Sequence, residues 1–196
     1  MEQFHDGQYV RLRSHVGTYL HADDEEQGVS HRRSRASLNA AWVVHLYNGR
    51  LLLHCAAYGR YLAATTTPAP RGHRGFLVAQ RNYDQPEVEA IMWEALDMGS
   101  VVNAVLIRNV NRRYLRANGK YLRWNNGVSV DDFANVSTMM QWIVEPIPAR
   151  QGVPGLPGPI RVSSPCPLPS FSQIASGETY RLREIVSWMS LIFIQV

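Results

Sequence analysis

Apolar and polar positions alternate along this chain in short stretches, and one such stretch comes back three times. In Val10-Arg11-Leu12-Arg13-Ser14 the residues Val10, Leu12 and Ser14 share one face while Arg11 and Arg13 share the other. That period of two is what a half-buried strand requires. A short turn with Gly17 follows, and then Tyr19-Leu20-His21-Ala22. The second copy runs Leu51-Leu52-Leu53-His54-Cys55, a turn with Gly59, and Tyr61-Leu62-Ala63-Ala64. The third runs Val105-Leu106-Ile107-Arg108-Asn109, a turn, and Tyr114-Leu115-Arg116-Ala117.

Each copy then meets the same later landmarks. A glycine with an apolar strand starter comes first: Gly28-Val29, Gly75-Phe76 and Gly127-Val128. A tryptophan among apolar residues closes the copy: Trp42 before Val43-Val44, Trp93 after Ile91-Met92, and Trp142 before Ile143-Val144. Tyrosine-to-tyrosine spacings are 42 and 53, so the order is constant while the spacing drifts, as loop insertions between fixed strands produce. Asn118-Gly119, between Tyr114-Leu115 and Tyr121-Leu122, predicts a hairpin turn, and Asn126-Gly127 and Asn48-Gly49 read as turns too. No window holds a helical period; the nearest, Glu87 to Leu96, allows one helical turn. The expected class is all-β. One four-strand copy cannot bury its apolar face alone, and closing three copies about an axis pools their side chains and removes most open edges. Trp42, Trp93 and Trp142 are expected to be threefold equivalent and buried.

The pattern Tyr-Leu-x-Ala, then Gly-Val, then Trp with an apolar neighbour resembles the repeat of fascin-type, actin-cross-linking trefoils. A more specific likeness rests on Phe4-His5-Asp6-Gly7 through Ser14, Asn39-Ala40-Ala41-Trp42, Tyr58-Gly59-Arg60-Tyr61-Leu62-Ala63, Asp84-Gln85-Pro86-Glu87-Val88 and Val128-Ser129-Val130-Asp131-Asp132-Phe133. Together with Val136-Ser137-Thr138-Met139-Met140-Gln141-Trp142, these stretches are similar to the plant domain-of-unknown-function 569 family. The resemblance covers about residues 3–150 and implies a β-trefoil of twelve strands; the domain is expected over residues 1–148. It implies no settled activity, since fold does not determine function.

Residues 149–196 depart from the repeat. Eight of the eleven prolines lie between Pro146 and Pro169, a linker composition, and an apolar run from Ile185 to Val196 ends the chain. Twelve residues are too few to span a bilayer, which needs about 20. The segment is expected to have no core of its own and to lack order.

Charge and chemistry narrow the function. Residues 1–148 hold sixteen basic and fourteen acidic residues, which argues against nucleic acid as a partner. The two cysteines, Cys55 and Cys166, make no disulfide framework, and Met1-Glu2-Gln3-Phe4-His5-Asp6 is no secretory signal, so a cytoplasmic, non-secreted protein is expected. The seven histidines have no metal-type spacing, and no P-loop, nucleophile elbow or dinucleotide fingerprint occurs, so neither cofactor nor enzyme activity is expected. His54 stands where the other copies have Arg13 and Arg108 and reads as an outward polar position; Cys55 reads as a small packing residue. The Asp23-Asp24-Glu25-Glu26 run reads as a solvated face, and the Gln-x-Trp motif of ricin-type sugar binders is absent.

Two basic clusters remain as candidate binding residues. Arg32, Arg33 and Arg35 lie between Val29 and Trp42, and Arg112, Arg113, Arg116, Lys120 and Arg123 crowd the third copy. Either could meet actin or another acidic protein surface. The expected function is a non-catalytic intracellular binding module with a cytoskeletal filament as candidate partner. The alternative is recognition of a small molecule or glycan in the clefts between repeats. Cross-linking needs a second site, which one module does not provide.

Overall fold

The computed structural model describes residues 3–83, 88–99, 103–119, 126–135 and 137–148. The proline-rich segment, Tyr121-Leu122, Lys120 and Arg123 lie outside the described residues.

Four strands come from each copy. The first gives β1 (Tyr9–Ser14), β2 (Tyr19–Ala22), β3 (Val29–Arg32) and β4 (Trp42–Tyr47). The second gives β5 (Arg50–Cys55), β6 (Tyr61–Pro68), β7 (Phe76–Arg81) and β8 (Trp93–Asp97). The third gives β9 (Ala104–Asn109), β10 (Tyr114–Ala117), β11 (Val128–Asp131) and β12 (Gln141–Pro146). The landmarks fall on strand starts: each Tyr-Leu opens a second strand, and each apolar residue after the conserved-order glycine opens a third.

Antiparallel pairing carries β1 to β4, β4 to β5, β5 to β8, β8 to β9, β9 to β12 and β12 back to β1, a closed six-stranded barrel. The other six strands form three hairpins, β2–β3, β6–β7 and β10–β11. The hairpins meet through β7–β11 pairing and through the bridges Gly28–Ala79 and Ser30–Gly127. This is a β-trefoil, and closure leaves the barrel without an edge. No helix among the described residues is long and apolar enough to cross a membrane.

One clamp recurs in all three copies. Trp42, Trp93 and Trp142 are fully buried in a common core with Leu20, Leu62 and Leu115. Their indole N–H groups donate to the carbonyls of Leu20, Leu62 and Leu115 at 3.2, 2.8 and 3.0 Å. Each tryptophan thus contributes a large apolar body and satisfies its one polar atom on the strand that starts the neighbouring hairpin. A 3-10 turn precedes each one, at Leu38–Ala40, Val88–Ile91 and Thr138–Met140. Only the middle turn was expected; three-residue turns are too short to carry a helical period.

Three turn and burial expectations divide. Asn48-Gly49 forms the tight turn between β4 and β5, with φ of 48° and 73° and Tyr47 opposite Arg50. Two successive positive φ values define the type I′ hairpin, whose twist suits the strands it joins. The Asn118 N–H donates to the Gly127 carbonyl at 3.0 Å, so the β10–β11 ladder runs on past Ala117, and the Tyr121-Leu122 arm of the hairpin expected at Asn118-Gly119 lies outside the described residues. Asn126-Gly127 is not a turn; the Asn126 carbonyl accepts from His31 N–H at 2.7 Å, and a Cβ on Gly127 would run into the His73 ring. That glycine serves close approach rather than a bend.

His54 corrects the reading of an outward polar position. It is buried with Tyr61 laid against it, since the outer face here carries a second small core of Leu52, Tyr61, Ala63 and Ile91. Cys55 is fully buried in the main core, and burial pushes its thiol pKa up, so it packs as a small apolar residue.

Candidate functional site

The position just before each Tyr-Leu turn sets the chemistry of one outer face of the barrel. Arg13 donates to Glu145 at 2.7 Å, and Arg35 reaches the other oxygen of that carboxylate at 3.3 Å. Arg108 lies 2.7 Å from Glu94, with Arg50 at 3.3 Å. The Arg108 hydrogen bond holds the Glu94 carboxyl below its usual range. In the second copy His54 replaces the arginine, and rings replace the ion pair. His45 stacks on His54 at 5.4 Å between centroids, and the Tyr61 hydroxyl shares a 2.9 Å hydrogen bond with His45 Nδ1. Tyr83 closes the cluster at 6.0 Å from Tyr61. Burial lowers the pKa of both imidazoles, His45 adds to the effect on His54, and burial pushes Tyr61 up to about 12. Among the described residues no group of three or more His, Cys, Asp or Glu is placed to hold a metal ion.

Between the copies, three pieces of chain meet: the end of a second strand, the 3-10 turn of the same copy, and the first turn of the next copy. Between the second and third copies they leave an open groove of about 420 Å³. Its walls are Ala64, Thr65 and Thr66 from β6, Val88, Glu89 and Ala90 from the 3-10 turn, and Val110 and Asn111 from the β9–β10 turn. Small apolar side chains alternate there with two hydroxyls, one carboxylate and one carboxamide. The Thr65 hydroxyl donates to the Leu77 carbonyl at 2.9 Å, which fixes it in the wall.

The same three pieces close the space between the first and second copies. Asn39 donates through Nδ2 to the Ala22 carbonyl at 2.8 Å and lies 3.0 Å from Asp24 and 2.9 Å from the Tyr58 hydroxyl. Tyr58 in turn donates to Asp24 at 3.2 Å. Tyr58 occupies a first turn one residue longer than its counterpart: five residues separate Cys55 from Tyr61, and four separate Asn109 from Tyr114.

The basic candidates separate in space. Arg32 is 2.9 Å from Asp23 and also faces Asp24; Arg35 is bound to Glu145; Arg33 is exposed with no ion pair among the described residues. Arg113 lies over the Phe76 ring at 3.7 Å and near Asp132 at 3.5 Å, and Arg112 is exposed. Arg116 is buried, paired with Asp131 at 3.4 Å and bonded to Asn118 at 3.2 Å. It belongs to an interior polar network that runs through Asn118 and Ser129 to His31 and Thr18, not to a surface cluster. The groove residues Thr65, Thr66, Glu89 and Asn111 were not singled out from sequence. The available signal was the run Thr65-Thr66-Thr67, which extends β6 to eight residues where β2 and β10 have four.

Residues 1–145 match the family described as a beta-trefoil domain of unknown function (DUF569), and the chain belongs to it. No curated protein matches the sequence. Solved structures share the fold at low identity. The ricin B-like lectin of Macrolepiota procera, in complex with lactose, is 17% identical with a TM-score of 0.59, over 72% of this chain and 96% of that one. The SDF2-like protein from Arabidopsis thaliana is 16% identical at 0.60, over 72% and 94%. SeviL bound to asialo-GM1 saccharide is 10% identical at 0.54, over 70% and 96%.

Proposed function

We propose that this chain is a non-catalytic binding module that takes a small polyhydroxylated ligand, of the glycan class, in the groove between its second and third copies. The observation that carries the reading is the groove itself. Its volume of about 420 Å³ suits a small ligand. Thr66, Glu89 and Asn111 offer it a hydroxyl, a carboxylate and a carboxamide, a set that can both donate to and accept from ring hydroxyls. Ala64, Val88, Ala90 and Val110 give the apolar contact a sugar ring presents between its hydroxyls. Two proteins of the same fold are named as bound to saccharides, which supports the class but not the position. Among the described lining residues Glu89 is the single carboxylate, and glycoside hydrolysis uses two, which favours binding over cleavage.

The filament reading has less to stand on. It drew on basic clusters, and of their described members only Arg33 and Arg112 are exposed without an ion pair. The intracellular setting stays part of the proposal, with Cys55 a free, buried thiol.

The test is glycan-array screening followed by calorimetry on Glu89→Gln and Asn111→Ala. Losing a hydrogen bond to a charged group costs about 1.5–3 kcal/mol, so Glu89→Gln should weaken binding roughly tenfold or more. Unchanged affinity in both variants would place any ligand elsewhere.

A further inference from the structure

We infer that the ligand is an acidic glycan, whose carboxylates are met by arginines beside the groove; this rests on the groove reading above. The lining stretches 64–66, 88–90 and 110–111 belong to the chain segments 64–77, 88–92 and 109–114. Among the described residues they carry Arg71, Arg74, Arg112 and Arg113 against Glu89 in the groove wall and Asp132, which pairs with Arg113 at 3.5 Å. Arg71 and Arg112 are exposed and have no ion pair among the described residues. Arg113, stacked on Phe76 at 3.7 Å, ties the β9–β10 turn to the start of β7, so the two arginine-bearing segments are neighbours. The first groove has the opposite character, bordered by Asp23-Asp24-Glu25-Glu26.

The backbone at Arg112 supplies an independent reason. The first turn of each copy closes with an N–H to carbonyl bond: Gly17 to Ser14, Gly59 to Cys55, and Arg112 to Asn109, each at 3.0 Å. The donor residue takes a positive φ in every case, 79°, 67° and 60°. Two copies use glycine, the residue that adopts this conformation without strain, and the third keeps an arginine. A strained choice that packing does not require points to a use for the side chain. Arg112 directly follows Asn111, a wall residue of the groove. A cation at the rim would meet an acid group on a sugar whose ring lies on Val110 and Asn111.

The probe is a galacturonate oligomer, compared by calorimetry with the same oligomer after reduction of its carboxylates, at low and high salt. The variants are Arg112→Gly, which restores the residue of the other two copies, and Arg71→Gln. The acidic oligomer should bind roughly fivefold tighter than the reduced one at low salt, and the gap should narrow as salt screens exposed charge. Arg112→Gly should weaken only the acidic oligomer, roughly two- to fivefold, with no fall in melting temperature. Equal binding of both oligomers, or acidic binding indifferent to both variants, would overturn the inference and leave the groove reading standing. Binding of neither oligomer, with glycan arrays also blank, would remove both.

Discussion

The first and second grooves are assembled from equivalent pieces of chain, yet one is shut and the other open. In the first, Asn39, Asp24 and Tyr58 bond to one another across the gap, and the bordering loop is acidic. In the second, threonines, alanine and valine leave about 420 Å³ free, and the bordering turns are basic. The pieces arrive at the same places because the tryptophan clamps beneath them are the same. The difference lies in the rim side chains and in a first turn one residue longer. Internal repetition therefore holds the scaffold constant while each rim changes without disturbing the barrel.

The largest effect should come from breaking what the copies share. Trp42→Ala, Trp93→Ala and Trp142→Ala each remove a fully buried indole and strand a leucine carbonyl. Each should cost about 3–5 kcal/mol in urea unfolding. A variant costing under about 1 kcal/mol would show that its copy is not clamped as the others are.

Next comes exchange of the rims. Thr66 is exposed on the groove wall, so Thr66→Tyr should fill the second groove, much as Tyr58 fills the first, and lower glycan affinity roughly tenfold or more with little change in stability. Calorimetry of Tyr58→Ala gives the converse. If the clasp is what shuts the first groove, a second and weaker site should then appear.

What could be read from the sequence followed the same division. The buried landmarks recur in fixed order because every copy needs them, so the twelve strands, the Tyr-Leu starts and the buried tryptophans were legible. The rims were not. Thr66, Glu89 and Asn111 come from separate turns and carry no pattern until the fold joins them. Arg116 looked like surface charge because its partner Asp131 is distant in sequence and on another strand. His54 sits at a strand position that alternation assigns to the outside, and the His45 and Tyr61 rings lie over it there. Alternation reports the face of a strand, not what else lies over that face.

Acid titration should separate the outer faces. Burial holds His45 and His54 below the value near 6.5 that they take when unfolded. The unfolded chain therefore binds more protons, and the stability these groups allow is full above that pH and declines as pH falls through it. Glu94, depressed by its hydrogen bond to Arg108, behaves otherwise: its contribution persists above the unfolded value near 4.5 and is lost only as pH falls below. Melting temperature followed down in pH should show the histidine phase first. His54→Gln should flatten that phase without abolishing it, since burial also lowers His21 and His73. Glu94→Gln should alter the lower phase alone. A slope near neutrality that His54→Gln leaves untouched would mean that the second face is open to water.

The smallest effect belongs to the ion pairs that the second face lacks. Glu145 accepts from Arg13 at 2.7 Å and from Arg35 at 3.3 Å, but the Arg35 side chain is 62% exposed. Water and salt screen such a contact, and holding a long side chain in one rotamer offsets most of the attraction. Arg35→Ala should therefore shift stability by no more than about 0.5 kcal/mol, and less at high salt. Arg13 is 36% exposed, lies across the β1–β12 ladder and covers part of the barrel with its stem, so Arg13→Ala should cost more, up to about 1 kcal/mol. Urea midpoints at two salt concentrations resolve the pair. Equal losses would mean that Glu145 draws on both arginines as one network. A larger loss for Arg35 would mean that it, and not Arg13, anchors the loop between β3 and β4.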